Sequence, residues 1–292
     1  RSKNDEVIIP SHTMTASPSA VVATGGKPIL VDCGIDGLID PEKIEESITE
    51  NTKYIMPVHL NGRTCKMEKI LQLAEKYDLK IIEDSAQGLG STYKNQQAGT
   101  FGLAGVFSFY PAKILGTLGD GGMIITNDDK LAEQIFQFRD HGRSNLDCKM
   151  WGRNSRLHNL HAAFLSFQFK DFKKTINRRR DISNIYYENL KDLNNLQLPI
   201  FLDDDHFDTF QNFEILADRR DQLRDYLSSK NIGTIIQWGG KAIHQIDSLG
   251  LNHFSLPKTD AYFERCLMLP MNLFISDSDI NYVCEMIRKF YV

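Results

Sequence analysis

The sequence has few cysteines, and they form no pattern that indicates a metal site or a disulfide framework. Their number is odd, they are scattered along the chain and none form a CxxC pair: Cys33, Cys65, Cys148, Cys266 and Cys284. Structural zinc sites and thiol–disulfide motifs use closely spaced cysteine pairs. We therefore expect reduced thiols, no metal site and a cytoplasmic location.

Long apolar runs and basic tracts are also missing. No apolar run approaches the ~18 residues of a membrane-spanning helix, and the first residues do not have the pattern of a signal peptide. The net charge is −4, with no polybasic tail. We therefore expect neither a membrane nor a nucleic acid as a partner. A chain of 292 residues, with 41% hydrophobic and 25% charged residues, is typical of a globular protein of about two domains.

The first part of the chain alternates short apolar runs with amphipathic segments. Strands are predicted at residues 7–9, 28–32, 53–58 and 79–82. Asp40-Pro41 has the composition of a helix start, and Met67, Ile70, Leu71 and Ala74 mark one face of the next helix. Strand–helix–strand units of this length predict parallel strands with right-handed crossovers, and therefore an α/β fold. His59 leaves a strand at its carboxyl end, where both a site histidine and a structural histidine are compatible with the sequence.

A lysine lies in a glycine-rich loop between two apolar runs. Residues 106–110 predict a buried strand and residues 123–125 a second one, with Lys113 between them. Gly116, Gly119, Gly121 and Gly122 allow this backbone to approach a ligand closely. Partial burial would lower the pKa of Lys113 and make its amine nucleophilic, although a surface lysine in a hairpin loop fits the local sequence as well.

A carboxylate follows the predicted strand 79–82. Asp84 falls at the carboxyl end of that strand, where open α/β sheets place their ligand crevices. Alone, a carboxylate at such a position is more often a helix N-cap or a turn residue. Together, a loop lysine and a carboxylate are the pair that pyridoxal phosphate needs: the lysine holds the cofactor as a Schiff base, and the carboxylate keeps the pyridine nitrogen protonated.

The last third of the chain predicts a smaller α+β unit. A long helical stretch, residues 157–193, leads into it, and we expect Arg178-Arg179-Arg180 to lie on its solvated face. Beyond it, strands are predicted at 211–217, 233–237 and 266–270, with helices at 218–230 and 277–291. Trp238-Gly239-Gly240-Lys241 and His244 are candidates for contact with a substrate, or form an ordinary glycine-rich turn.

Several segments together resemble the DegT/DnrJ/EryC1/StrS aminotransferases, which aminate keto sugars attached to nucleotides. These segments are DEVIIPSHT (5–13), PILVD (28–32), TKYIMPVHLNG (52–62), IIEDSAQGLGSTYK (81–94), AGTFGLAGVFSFYPAKILGTLGDGGMIITND (98–128), RDHGR (139–143) and GRNSRLHNLHAA (152–163). They cover most of residues 5–190 in the family's order. The resemblance implies an aspartate aminotransferase-like, fold type I architecture. It has a mainly parallel central sheet flanked by helices in a large domain, residues 1–175, and a smaller C-terminal α+β domain, residues 176–292.

The resemblance also implies roles for single residues. Lys113 resembles the Schiff-base lysine that also carries the proton, and Asp84 the partner of the pyridinium nitrogen. Gln87 is similar to the residue that binds the cofactor's phenolic oxygen, and Ser108 to one that binds its phosphate. Asn154 matches an asparagine that reaches the phosphate in the neighbouring subunit, which implies a homodimer with shared sites.

Two departures from the family pattern accompany these roles. Met14 stands where relatives commonly stack an aromatic ring on the cofactor; its thioether can cover a ring face, and His12 could supply the ring or contact the substrate instead. Relatives also carry an N-terminal segment with a Gly-Thr turn that binds the cofactor phosphate. This sequence lacks it, and we expect that segment to lie upstream of the sequence given.

The predicted activity is the transfer of an amino group, with glutamate as the expected donor, to a 3- or 4-keto-6-deoxy sugar nucleotide. Such reactions supply amino sugars for surface polysaccharides or glycoconjugates. A pyridoxal-phosphate-dependent sugar dehydratase is one alternative, but those relatives replace the lysine with histidine. A non-catalytic sugar-nucleotide-binding relative is another. The joint presence of Lys113, Asp84 and Gln87 favours the transferase, because binding alone needs no electron-sink pair.

Overall fold

The computed structural model describes residues 4–145, 147–199 and 204–291. The strands are β1 (Glu6–Pro10), β2 (Lys27–Val31), β3 (Thr52–Ile55), β4 (Lys80–Asp84), β5 (Thr92–Tyr93), β6 (Gln96–Gln97), β7 (Ala104–Ser108), β8 (Gly122–Ile125), β9 (Arg143–Ser144), β10 (Asp147–Cys148), β11 (Leu196–Gln197), β12 (His206–Phe207), β13 (Phe213–Ala217) and β14 (Cys266–Leu269). The α-helices are α1 (Ala16–Ala23), α2 (Pro41–Glu46), α3 (Met67–Lys76), α4 (Asp129–Phe138), α5 (Asn159–Phe169), α6 (Phe172–Leu190), α7 (Arg220–Ser229), α8 (Pro257–Arg265) and α9 (Asp277–Tyr291). Short 3₁₀ helices span Gln237–Gly240, Ile243–Gln245 and Asp247–Leu249.

A six-stranded sheet forms the centre of the first part of the chain. Its strand order is β2-β1-β3-β4-β7-β8. Neighbours are parallel except β8, which runs antiparallel to β7. The predicted α/β class with a mainly parallel sheet is therefore confirmed. The carboxyl ends of β1, β4 and β7 lead into the segments that contain Met14, Asp84 and Lys113.

The helices of this part begin and pack largely as their sequences predict. Asp40 caps α2 by accepting a hydrogen bond from the Glu42 backbone N–H at 3.0 Å. On α3 the buried residues include Met67, Ile70 and Ala74, as predicted. The remaining core position is Leu73, whereas Leu71 is only partly buried.

A second, three-stranded sheet lies in the C-terminal part, in the order β11-β13-β14 and antiparallel throughout. Its core includes Tyr186 from α6, Phe213 from β13 and Ile287 from α9. The predicted strand 233–237 is wrong. Only Ile235 forms a bridge, with Met268, and the chain then turns through Trp238 and Gly239, both with positive φ.

The predicted helix over residues 157–193 is two helices. The chain leaves helical geometry at Asp171 (φ −103°, ψ 7°), between α5 and α6. Phe169 and Phe172 stack across the break with ring centroids 5.6 Å apart. Leu165 of α5 packs with Phe109 and Leu115, whereas Ile182 and Tyr186 of α6 pack in the core of the C-terminal part. A periodicity of 3.6 residues does not reveal this change of neighbours.

The three consecutive arginines of α6 are not a solvated face. Arg179 is buried, and its Nη1 donates to the backbone oxygens of Phe210 and Gln211 at 3.1 and 3.0 Å. Arg178 and Arg180 also donate to backbone oxygens of neighbouring segments. Burial lowers the pKa of Arg179 to about 10. The prediction was wrong because these arginines satisfy carbonyls of chain segments that are remote in sequence.

The two parts of the chain are joined by direct contacts. Strand β12 pairs with β5, and the Ile243 and Leu256 side chains pack into the core formed by Val7 and Ile9. The division at residues 175/176 stays a prediction. Among the described residues, no helix combines the length and apolar character needed to cross a bilayer.

Candidate active site

Lys113 lies in the connection between β7 and β8. The connection is closed by backbone hydrogen bonds from Phe109 N–H to Gly121 and from Thr117 N–H to Phe109, both at 2.8 Å. A side chain at Gly116 would place a Cβ 2.6 Å from the Pro111 carbonyl oxygen, so this glycine permits the tight fold of the loop.

The strand before this loop is buried on one face only. Phe107 and Phe109 are buried, whereas Val106 is 36% and Tyr110 53% exposed. The predicted fully buried run 106–110 is therefore corrected to a strand with one open face.

A glutamine from a remote segment holds the backbone on both sides of Lys113. Gln211 Nε2 donates to the Ala112 carbonyl at 2.8 Å, and its Oε1 accepts from the Ile114 N–H at 2.9 Å. Gln211 is itself held through its carbonyl by Arg179. Sequence reasoning missed Gln211, because it lies about a hundred positions from Lys113 and no local pattern connects the two.

The Lys113 amine is half-buried next to a negative charge. Burial lowers its pKa from the ordinary value of 10.5, and the Asp84 carboxylate partly opposes that shift. Since a lysine next to a carboxylate would otherwise have a raised pKa, desolvation is the stronger influence here. The arrangement increases the fraction of uncharged, nucleophilic amine.

Asp84 ends β4 and is oriented by donors on two sides. Ser17 Oγ, on α1, donates to Oδ2 at 2.8 Å, and the Ala86 N–H donates to Oδ1 at 3.1 Å. Thr13 Oγ1 lies 2.8 Å from Ser17 Oγ and donates to it, because the Ser17 proton is directed to Asp84. Asp84 thus stabilises a turn, in agreement with one of the two predictions for it, and its charge also raises the pKa of Lys113 against the effect of burial. Ser17 was not predicted from the sequence.

Three other predicted cofactor residues lie on nearby segments. Gln87 follows Asp84 by one turn, and its Oε1 accepts from the Asn61 N–H at 2.8 Å. Ser108 ends β7, where its Oγ accepts from the Tyr110 N–H at 3.2 Å. Met14 is 53% exposed and directly precedes α1, which brings it to the Ser17–Asp84 side of the sheet. Each of these residues therefore lies at or after the carboxyl end of β1, β4 or β7.

Asn154 lies apart, on the exposed segment before α5. It pairs with Asp140 in an isolated bridge, and its Oδ1 accepts from Arg156 Nε at 3.3 Å. Its side chain is available at the surface of the single chain.

The histidines that were predicted to contact substrate are in the interior. His12 is 1% exposed, its Nδ1 donates to the Gly37 carbonyl at 2.7 Å, and its ring lies 4.6 Å from that of Tyr262. Burial lowers the pKa of His12. His59 is fully buried and lies 2.9 Å from Glu83, which supports the structural alternative for this residue. These positions do not favour substrate contact or stacking by His12.

His244 links a serine and an aspartate in a chain that resembles a hydrolytic triad. Its Nδ1 is 2.7 Å from Ser11 Oγ and its Nε2 is 2.8 Å from Asp260 Oδ1. Ser11 is fully buried, so no substrate can reach its hydroxyl, and the chain ties β1 to α8 instead. Lys241, three residues earlier, is exposed and remains a substrate-binding prediction.

An open cleft of about 590 Å³ connects the Lys113 loop with the C-terminal part. Its walls include Lys113, Arg179, Gln211, Asn212 and the segment 268–274. Neither Lys241 nor His244 lines it. The part of the chain that the structure describes contains no group of three or more acidic, histidine or cysteine side chains arranged to bind a metal ion.

Comparisons with known proteins agree with this geometry. A sequence model of the DegT/DnrJ/EryC1/StrS aminotransferase family matches residues 2–288. The dTDP-3-amino-3,6-dideoxy-alpha-D-galactopyranose transaminase of Aneurinibacillus thermoaerophilus is 38% identical over 98% of this chain and 79% of its own length. The pleiotropic regulatory protein of Geobacillus stearothermophilus is 36% identical over 98% of this chain and 78% of its own length. The crystal structure of DesV from S. venezuelae, in complex with a ketimine intermediate, superposes with a TM-score of 0.93 at 33% identity, covering 98% of this chain and 78% of DesV. The chain therefore belongs to the DegT/DnrJ/EryC1/StrS aminotransferase family.

Proposed function

We propose that this protein is a pyridoxal-phosphate-dependent aminotransferase that moves an amino group from glutamate to a keto-deoxy sugar carried by a nucleotide. The product would be an amino sugar for a surface polysaccharide or glycoconjugate. The observation that carries the proposal is the pairing of Lys113, whose pKa is lowered by burial, with the Asp84 carboxylate. The name of the A. thermoaerophilus relative, a dTDP-amino-sugar transaminase, supports the substrate class.

The residues of the site fit pyridoxal phosphate. Lys113 offers an amine with a lowered pKa, as bond formation with an aldehyde requires. Asp84 offers a carboxylate that Ser17 and the Ala86 N–H already orient. Gln87 and Ser108 add polar groups for the phenolic oxygen and the phosphate. When bound, the cofactor supplies an electron sink that makes the α-proton of an amino acid removable.

The chain's own residues then have distinct tasks. Lys113 Nζ would hold the cofactor until the amino donor displaces it, and the freed, uncharged amine would then move the proton between the amino-acid carbon and the cofactor carbon. Its lowered pKa keeps more of the amine in the form that accepts a proton. Asp84 would provide the negative charge for the ring nitrogen, and Gln211 would keep the Lys113 backbone fixed while the proton moves.

We also propose a homodimer with shared sites, located in the cytoplasm. Support for the dimer comes from exposed apolar side chains on both sides of Asn154, including Trp151 at 97% and Leu160 at 78% exposure. Where exposed apolar side chains form a contiguous patch, they mark an interaction surface. Asn154 would then reach the cofactor phosphate of the neighbouring subunit. The free cysteines support the location.

A single mixing experiment tests the activity. The protein is loaded with pyridoxal phosphate, glutamate is added without a sugar, and the visible absorbance of the cofactor is followed. We expect a shift that develops with time in the wild type and is absent in Lys113→Ala. A loaded wild-type protein whose absorbance never changes with glutamate or other amino acids would support the non-catalytic alternative, and the proposed function would then be rejected.

A further inference from the structure

A buried carboxylate that the proposed mechanism does not use lies behind the site. Glu214, on β13, is 5% exposed. It accepts hydrogen bonds from Asn61 Nδ2 at 2.8 Å, Gln237 Nε2 at 3.0 Å and the Tyr262 hydroxyl at 3.1 Å. A carboxylate is retained in the interior only where donors surround it, and these three donors come from three separate segments.

Among the described residues, no lysine or arginine forms an ion pair with Glu214. His12 Nε2 approaches it at 4.0 Å. However, burial lowers the pKa of His12, and His12 Nδ1 already donates to the Gly37 carbonyl, so the ring is neutral with its proton directed away from Glu214. Glu214 therefore acts on its surroundings as an acceptor only.

An acceptor-only group determines the orientation of the next amide. Asn61 must direct Nδ2 towards Glu214, so its Oδ1 faces the other way and accepts from Asn212 Nδ2 at 2.8 Å and from Gln237 Nε2 at 3.0 Å. Asn212 Nδ2 also lies 3.4 Å from Gln87 Oε1 and donates to it. The amide orientations are thus linked from Glu214 through Asn61 and Asn212 to Gln87.

Gln87 is fixed from a second direction. The backbone N–H of Asn61 donates to the same Oε1 at 2.8 Å, and a backbone N–H cannot act as an acceptor. Both contacts require Gln87 to turn Oε1 towards Asn61 and Nε2 away from it. Among the described residues, Gln87 Nε2 donates to no protein acceptor. Within the described part of the chain, both N–H groups of this amide are therefore without a protein partner.

We propose that Glu214 is a positioning residue: through Asn61 and Asn212 it holds the Gln87 amide with Nε2 as the donor to the cofactor's phenolic oxygen. The inference rests on the proposed function, because it assigns pyridoxal phosphate as the partner of Gln87. Glu214 itself does not contact the cofactor. Through the Asn212 contact it adds to the Asn61 N–H in disfavouring the flipped Gln87 amide, which would turn its oxygen towards the phenolic oxygen of the cofactor.

A double-mutant cycle on cofactor binding tests this link. The dissociation constant of pyridoxal phosphate is measured by equilibrium dialysis for the wild type, Glu214→Gln, Gln87→Ala and the double variant. Glu214→Gln keeps the shape but adds an NH₂ group that must face a donor of Asn61 or Gln237. We expect binding about 3- to 10-fold weaker, as for the loss of one hydrogen bond. In the Gln87→Ala background, Glu214→Gln should weaken the binding of pyridoxal phosphate almost no further.

Controls separate positioning from stability. Tyr262→Phe removes another hydrogen bond to the same carboxylate and leaves Asn61 untouched, so the dissociation constant should stay within about twofold while the melting temperature falls. If Glu214→Gln does not fold, Asn212→Leu interrupts the next link and takes its place in the same cycle.

The outcomes distinguish the two proposals. A wild-type protein that does not bind pyridoxal phosphate overturns both. The other outcome is that the wild type binds pyridoxal phosphate and the fold-losses of affinity in Glu214→Gln and Gln87→Ala multiply in the double variant. This outcome overturns the role of Glu214 and leaves the proposed function intact.

Discussion

The contact between Gln211 and the Lys113 loop gives a prediction whose size follows from the structure. Gln211→Met keeps a side chain of similar volume and removes both hydrogen bonds, to the Ala112 carbonyl and from the Ile114 N–H. Gln211 is 8% and Ile114 9% exposed, whereas Ala112 is exposed. The Ala112 oxygen can therefore bind water instead, but the Ile114 N–H is left buried without an acceptor.

The expected cost comes mainly from that stranded donor. An unsatisfied buried donor costs about 1–3 kcal/mol, so the free energy of unfolding should fall by about that amount. The loop should also lose its register around Lys113. Since misplacement of a reacting group by about 1 Å can cost 100-fold in rate, the glutamate half-reaction should slow by about 10- to 100-fold.

The assay pairs urea unfolding of the cofactor-free protein with the single-turnover rate of the glutamate half-reaction. Gln137→Met is the matched control, because Gln137 is also 8% exposed and its side chain, within the described residues, hydrogen-bonds to Glu133, four residues earlier on α4, at 2.9 Å. Loss of this hydrogen bond should lower the free energy of unfolding by ~0.2–0.5 kcal/mol and leave the rate of the glutamate half-reaction unchanged. Equal losses of stability in the two variants, with an unchanged half-reaction rate in Gln211→Met, would refute the reasoning.

Four further predictions concern the predicted site residues. Lys113→Ala should lower turnover by about 100- to 10,000-fold at matched cofactor loading, and a near-normal steady-state rate would remove Lys113 from its role. Asp84→Asn keeps the shape without the charge, so dialysis should still show bound cofactor while stopped-flow shows a slower glutamate half-reaction; an unchanged rate would make Asp84 structural. Lys113→Met should stabilise the cofactor-free protein at neutral pH, because burial disfavours the charged amine of the wild type. Since the folded-state pKa of Lys113 lies below 10.5, the stability of the wild type rises with pH from that lowered pKa up to about 10.5. The stability advantage of the variant should therefore shrink over this pH range. Urea titrations at several pH values check this, and an advantage independent of pH would contradict it. Mixing Asn154→Ala with Lys113→Ala chains should restore activity in a heterodimer, because one of two shared sites then carries neither lesion; with heterodimers confirmed by mass spectrometry, activity no greater than the sum of the parents would place Asn154 outside a shared site.

The sequence by itself determined the class of the fold and pointed to Lys113 and Asp84 as the candidate site residues. Apolar runs, the Asp40-Pro41 helix start and the spacing of strand and helix are local signals, because strand burial and helix capping depend on neighbours in sequence. They predicted the parallel sheet, and with it the position of Asp84 at a carboxyl strand end. Lys113 was found in the same way, from its glycine-rich loop.

Hydrophobic periodicity predicted the secondary structure less well where two different structures are compatible with the same sequence pattern. Residues 157–193 have helical spacing throughout, yet the chain breaks at Asp171, and residues 233–237 are predicted as a strand but form a single bridge. In both segments the packing of remote residues decides the outcome, and this information is absent from a short window.

Only the tertiary structure decided how the site residues are held. Ser17, Gln211 and Glu214 show no motif, and each acts on a residue 67 to 153 positions away. The tertiary structure likewise placed His12 and His244 in the interior and Arg179 against carbonyl oxygens. Hydrogen-bond partners of buried polar groups are set by which segments meet in space, and a sequence records the donors and acceptors without recording which of them will meet.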